Sequence, residues 1–297
     1  MTLKIGFIGC VESSREFLSV LVDVPGVKVC AVVTKDKSAI NSDFADLTDI
    51  CEDKCIPYHY ELSNQRDLSR IFLEEFELDL IYCFGWSYLL DDKMLSLPKI
   101  GVIGFHPAKL PKNRGRHPII WALALGLDET ASTFFKMDLG VDSGEIISQK
   151  NIMISLSDNA KDLYKKIIIA AIQQLKDFTL QFINHEVQFI SQDQTQASSW
   201  RKRSREDGLI DWRMSAESIY NLVRALSPPY PCAEFRIGET YIKVSKCSVI
   251  LGQYAKNLEP GFILERSPDS LLVKVAGTDA VLVEDLMIDL EIEGDYL

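Results

Sequence analysis

The chain has 297 residues, 47% of them hydrophobic and 25% charged, the composition of a globular protein large enough for two domains. A formal net charge of −11 argues against a general nucleic-acid binder, since phosphate binding draws on massed Lys and Arg. The seven cysteines, odd in number and without a CxxC pair, read as reduced thiols of a cytoplasmic protein.

Lys4 to Gly9 opens as a strand rather than a signal peptide, and no run of about eighteen apolar residues calls for a membrane span. After the strand Ile5 to Ile8, Gly9 and Cys10 turn the chain. Ser13 and Glu16 stand at capping-box spacing before a helix with Phe17, Leu18, Leu21 and Val22 on one face. Val27 to Val33 is a second strand. Cys51, Cys55 and His59 are spaced four apart, but Pro57 interrupts any shared helix face and no fourth ligand lies nearby. They read as buried thiols, and no metal is expected.

Leu80 to Phe84 and Ile100 to Ile103 are further continuous apolar runs, ending at Gly85 and Gly104. Such strands separated by helices predict a doubly wound α/β domain around a mostly parallel sheet. Ligands then bind beyond the carboxyl ends of the strands, which singles out the loops after Ile8, Phe84 and Ile103. Gly6 and Gly9 do not complete GxGxxG, so they serve a tight turn in preference to a dinucleotide.

Leu163, Ile167, Ile168, Ala171, Leu175, Phe178 and Leu180 mark a long amphipathic helix over residues 160–185. The polar stretch that follows contains Arg201-Lys202-Arg203-Ser204-Arg205, a solvated linker or a phosphate-contacting arm. Beyond Gly208 the pattern turns to period two, with a hairpin across Gly238-Glu239-Thr240 and strands at Leu271 to Val275 and Ala280 to Val283. The expected division is a catalytic domain over 1–190, a linker over 191–207 and a smaller β-rich, barrel-like domain over 208–297.

Chemistry concentrates between Gly101 and Gln149. His106 falls at the carboxyl end of a buried strand, and Pro107 stiffens the turn behind it. Lys109, Lys112, Arg114, Arg116 and His117 follow without an acidic residue between them, which suits a phosphate or carboxylate ligand. Asp142 lies in Gly140-Val141-Asp142-Ser143-Gly144. A carboxylate there can hold an imidazole in a useful tautomer; an Asx-turn is the other reading.

Gly104-Phe105-His106-Pro107-Ala108-Lys109-Leu110-Pro111, with Arg114-Gly115, Pro118 and Asp142-Ser143-Gly144, resembles the folate-dependent formyltransferases. Gly208-Leu209-Ile210-Asp211-Trp212, then Arg224-Ala225-Leu226 and Pro228, looks like the junction of the longer members. The resemblance implies N10-formyltetrahydrofolate as donor and His106 and Asp142 as the catalytic pair. It places the pterin against Phe84, Gly85, Trp86, Ser87, Tyr88, Leu89 and Leu90 and against Asp138, Gly140 and Val141. Where the family has Asn two residues before the His, this chain has Gly104. Ser132, Thr133, a backbone N–H or a water would then supply the missing donor.

Among the formyltransferases the nucleotide-sugar enzymes fit best. The net charge and the short loop from Cys10 to Ser14 oppose the tRNA-directed branch. A nucleotide-linked amino sugar would meet Lys112, Asn113, Arg114 and Arg116 through its phosphates and stack its base on Tyr230. A cytoplasmic homodimer is expected at the level of the family. The alternatives are methionyl-tRNA formylation and a catalytically silent folate or nucleotide binder.

Overall fold

The computed structural model describes residues 2–37, 43–62, 65–286 and 294–297. In chain order the first elements are β1 (Leu3–Ile8), α1 (Glu12–Leu21), β2 (Val27–Thr34), α2 (Thr48–Asp53), β3 (Tyr58–Tyr60), α3 (Arg66–Glu74), β4 (Leu80–Cys83), α4 (Asp92–Leu95) and β5 (Gly101–His106). They are followed by β6 (Arg114–Gly115), α5 (Pro118–Ala124), β7 (Glu129–Lys136), β8 (Ile146–Met153), α6 (Ala160–Asn184) and β9 (Ser199–Trp200). The last are α7 (Ala216–Ala225), β10 (Ala233–Ile237), β11 (Thr240–Val244), β12 (Lys246–Ile250), β13 (Ile263–Ser267), β14 (Ser270–Lys274) and β15 (Ala280–Glu284). The chain divides into two compact units. One comprises Met1–Gly115, Ala131–Ile152 and Lys166–Ser199, the other Arg116–Thr130, Met153–Lys165 and Trp200–Leu297.

The first unit is built on a seven-stranded sheet in the order β3-β2-β1-β4-β5-β7-β8. Strands β1 to β5 pair in parallel, and β7 joins β5 antiparallel. Strands covered on both faces must be apolar throughout, and β1 and β4 are buried almost end to end. Alternation along the strands sorts the core into two layers. Phe7, Phe17, Phe84, Phe105, Phe134 and Phe178 pack edge-to-face or tilted on one side. Ile8, Cys30, Ile81, Cys83, Met94 and Val102 form the other side. Gly104 and His106 share the face of Val102, so the reactive candidates stand on this second layer.

Helix α1 begins differently from its sequence signal. Val11 is the N-cap and the helix runs from Glu12. Ser14, not the Ser13–Glu16 pair, accepts the Val11 N–H (3.2 Å) and donates to the Phe84 carbonyl (2.6 Å). A buried hydroxyl that meets both a helix-start N–H and a strand-end C=O outcompetes an exposed carboxylate, because both groups would otherwise be orphaned.

In the second unit β10 and β11 form an antiparallel hairpin, with Gly238 at φ +57° in its turn, where glycine meets no Cβ penalty. Strands β12-β15-β14-β13 form a separate four-stranded antiparallel sheet. Buried Arg224 on α7 donates to the carbonyls of Ser155 and Asp158, each at 3.0 Å, and to Asn221 Oδ1 at 2.8 Å. These bonds tie the 153–165 segment to the unit that α7 belongs to.

Candidate active site

His106 is the last residue of β5 and is 5% exposed. Its register partner across the sheet is Thr133. The ring is met on both edges: Nε2 lies 2.8 Å from the Asn113 carbonyl, and Nδ1 lies 3.6 Å from Asp142 Oδ2. Two acceptors facing the two nitrogens fix the plane of the imidazole and the edge it presents. Asp142 Oδ2 also accepts the Gly115 N–H at 2.8 Å, so this carboxylate joins two loops.

The Asp142 loop is tightly specified. Asp142 itself has φ +50°, a left-handed conformation that disfavours side chains by about 1–2 kcal/mol. A Cβ on Gly144 would fall 1.8 Å from the Lys136 carbonyl oxygen, so only glycine fits where the loop meets the end of β7. Ahead of it, Asp138 Oδ1 accepts from Gly140 N (3.0 Å) and Ser143 Oγ (2.7 Å), closing a small ring of bonds around the turn.

An open pocket of about 480 Å³ lies beside this turn, lined by Asp92, Leu95, Ser96, Met137, Asp138, Leu139 and Gly140. Apolar walls with a few polar groups are what a flat heteroaromatic ligand needs. Asp138 and Gly140 were anticipated from the sequence; Leu95, Ser96 and Met137 were not. Val141 is exposed next to them.

The residues 84–90 divide. Phe84 is fully buried in the aromatic layer, with its N–H and C=O committed to Ile8 and Ser14, so neither its ring nor its backbone is open to a ligand. Gly85 adopts φ +66°, and a Cβ there would meet Val11 at 2.1 Å. Trp86 and Leu90 pack against the second core layer. Lys35 Nζ stands over the rings of Trp86 (4.8 Å) and Tyr88 (4.2 Å), and Arg66 stands 4.0 Å over Tyr88. Ser87 is half-buried and Leu89 exposed.

The cationic loop splits as well. Lys112 is exposed. Asn113, at φ +65°, turns its carbonyl to His106. Arg114 is only 8% exposed, with Nη1 on Gln194 Oε1 (3.0 Å) and Nη2 on Gln192 Oε1 (2.6 Å). That corrects its expected place against a substrate phosphate, because burial and these two bonds turn the guanidinium into the protein. Arg116 belongs to the second unit, where its N–H bonds the Trp200 carbonyl. In that unit Arg201 and Arg203 flank Trp121, at 5.3 and 4.8 Å from the ring centre. Burial first, then Arg116, Arg203 and Lys202, hold the His117 imidazole below its usual pKa. Tyr230 is half-buried in the same unit.

Neither hydroxyl considered as a stand-in at Gly104 is placed for that duty. Thr133 Oγ1 donates to the Ala108 carbonyl (2.7 Å) and accepts from Gln149 Nε2 (2.9 Å). Ser132 alternates with Thr133 and so faces the opposite side of the sheet. The place an amide would fill is taken by hydrocarbon: a Cβ on Gly104 would meet Met137 Cγ at 2.9 Å and the Phe135 ring at 3.0 and 3.1 Å. Among the described residues no group of three His, Cys, Asp or Glu could hold a metal; Cys51 is buried, Cys55 exposed, and His59 lies against Phe72.

These features define a doubly wound α/β protein with a polar site at the carboxyl end of β5. Residues 19–177 match the formyl transferase family and residues 202–290 match the formyl transferase C-terminal domain. The chain therefore belongs to the formyl transferase family. It is 32% identical over 268 residues to the bifunctional polymyxin resistance protein ArnA of Wigglesworthia glossinidia brevipalpis, matching 89% of this chain but 39% of that protein. The chain thus spans about two fifths of the length of this curated relative. Two solved structures share its fold with a TM-score of 0.72 and 17% identity each. One is WlaRD, a sugar 3N-formyl transferase crystallised with dTDP and 5-N-formyl-THF, covering 98% of this chain and 100% of that one. The other is an N-formyltransferase from Helicobacter canadensis with folinic acid and dTDP-3-aminofucose, covering 95% and 99%.

Proposed function

We propose that this chain is a folate-dependent N-formyltransferase, carrying a formyl group from N10-formyltetrahydrofolate to the amine of a nucleotide-linked amino sugar. The observation that carries the reading is His106 held between Asn113 O and Asp142 Oδ2 at a strand end. Family membership and the ligands in the names of WlaRD and the Helicobacter canadensis enzyme support it. The pocket's apolar walls Leu95, Met137 and Leu139 and its polar Asp138 and Ser96 fit a pterin. When bound, the folate supplies an activated formyl group on nitrogen.

The chain's own residues must then take a proton from the attacking amine, stabilise negative charge on the formyl oxygen and return a proton to the departing nitrogen. His106 is the proton-handling group through Nδ1, which has Asp142 Oδ2 beside it at 3.6 Å while the Asn113 carbonyl holds Nε2. A donor to a developing oxyanion is worth about 3–4 kcal/mol in comparable sites. With hydrocarbon beside Gly104, that donation falls to His106 and to water or backbone. Lys112 and Asn113 meet the diphosphate. The enzyme works in the cytoplasm as a homodimer.

The test is purified protein with N10-formyltetrahydrofolate and a panel of UDP- and dTDP-linked amino sugars, read as gain of one formyl group by mass spectrometry. Formylation of at least one sugar is expected. No gain on any sugar, with formylation of charged methionyl-tRNA instead, overturns the substrate. Folate binding with no transfer to either acceptor points to a silent homologue, the one alternative that Gly104 favours.

A further inference from the structure

We infer that Gln192, itself held by the buried Arg114, is the positioning residue that sets Asp142 against His106. Gln192 is 8% exposed. Its Oε1 accepts from Arg114 Nη2 at 2.6 Å, and its Nε2 donates to the carbonyls of Asp142 (2.9 Å) and Gly144 (2.6 Å). One amide therefore grips both ends of the Asp142-Ser143-Gly144 turn.

That grip has a physical reason. Asp142 stands at φ +50°, and a non-glycine residue stays left-handed only where its surroundings over-determine it. Relaxing it to an ordinary conformation would rotate the peptide after Asp142 and carry Oδ2 away from Nδ1. Gln192 holds the carbonyl and Gly115 N–H holds the carboxylate, so side chain and backbone are pinned separately.

Arg114 fixes Gln192 in turn. Its two terminal nitrogens each give an N–H to a glutamine, Gln192 and Gln194, and its buried Nε has no hydrogen-bond partner among the described residues. Among the described residues no carboxylate bonds the guanidinium, so its positive end is directed at the amide oxygens. This polarises Gln192 and strengthens the Nε2 donation to the turn.

The same segment holds the other edge of the imidazole. Ser198 Oγ accepts the Asn113 N–H at 3.0 Å, and Ser198 O accepts the Arg114 N–H at 2.9 Å. Asn113 O is the acceptor facing His106 Nε2. Residues 192 and 198 thus place the two acceptors on either side of His106. The pocket wall has a bond of its own outside that turn, from the Gly140 N–H to Asp138 Oδ1 (3.0 Å).

Gln192 matters for turnover only if His106 and Asp142 are the reacting pair proposed above. The experiment compares wild type with Gln192→Met and Gln192→Glu by thermal unfolding, by kcat and formyl-donor KM, and by the 15N imidazole resonances of His106, assigned with His106→Asn. Gln192→Glu keeps a partner for Arg114, so it folds, but it turns a carboxylate toward two carbonyls. Both variants are expected to lose kcat by about 10- to 100-fold, as misplacements near an ångström do, with donor KM within about threefold. The His106 resonances should move at constant pH. Unmoved resonances in folded Gln192→Glu overturn the inference, as does a kcat loss matched by a loss of folded protein. No formyl transfer by wild type overturns the proposed function instead, and the resonances still decide the role of Gln192.

Discussion

Replacing Gly104 by Asn restores the side chain that the family carries, and the geometry predicts that the protein will not profit from it. The new Cβ would meet Met137 Cγ at 2.9 Å and the Phe135 ring at 3.0 and 3.1 Å. Phe135 is 3% exposed in the packed sheet and cannot yield. Met137 can swing, but it is a wall of the pocket. Overpacking of this kind costs about 1–3 kcal/mol; at about 2–4 °C per kcal/mol for chains near this size, the melting temperature should fall by about 2–12 °C. A correctly placed amide would instead add about 10²–10³ in kcat. Circular-dichroism melts and initial rates of formyl transfer on the same preparations separate the outcomes. The expected result is a lower melting point with an unchanged or lower rate. An unchanged melting point with a rate gain beyond about tenfold would refute the reasoning, because it would show that the space beside His106 still receives an amide.

Gly144→Ala puts a Cβ 1.8 Å from the Lys136 carbonyl oxygen, so the turn must move; activity should be lost together with several degrees of thermal stability, and a wild-type melt and rate would contradict this. Asp207 is held well below the usual carboxylate range, first by its hydrogen bond from Arg201 and then by the Ser204 N–H and the Arg201 and Arg203 charges. A depressed native pKa contributes stability that is complete above the unfolded value of 3.8 and is lost progressively as pH falls from there toward the depressed native value. Asp207→Asn should therefore flatten the acid limb of stability below about pH 4, read by urea unfolding at stepped pH, whereas an acid limb as steep as wild type would count against the pairing. Burial pushes the Cys51 and Cys247 thiols up to about 12, and Cys55 is exposed. Iodoacetamide should label Cys55 first in the native protein, seen by peptide mapping; prior labelling of Cys51 would mean that α2 opens.

The sheet was legible because β1, β4 and the start of β5 are continuous apolar runs, and a parallel sheet buried on both faces permits little else. His106 was legible for the same reason, since a strand that stops at Pro107 must present its last side chain at the ligand-binding end. The start of α1 was misread because its real cap works through the Phe84 carbonyl, a tertiary contact that local spacing does not contain. Thr133 and Ser132 looked equivalent until the antiparallel register of β5 and β7 showed which one faces His106. Arg114 looked like a phosphate ligand because a cation in a loop normally is solvated. Its partners Gln192 and Gln194 lie 78 and 80 residues away in a polar stretch that composition reads as linker. The pocket wall Leu95 carried no signal either, as α4 has four residues, too few for a periodic pattern.

The most direct test of the central claim is transfer of the formyl group by wild type and His106→Asn under identical conditions, with the sugar that the panel identifies. Asn lacks the ring nitrogen that faces Asp142 and cannot relay a proton at neutral pH, yet it is polar, smaller and compatible with the strand end. Folded His106→Asn is expected to retain folate binding by fluorescence and to transfer no formyl group measurable above background. Turnover within about tenfold of wild type would contradict it and remove His106 from the chemistry.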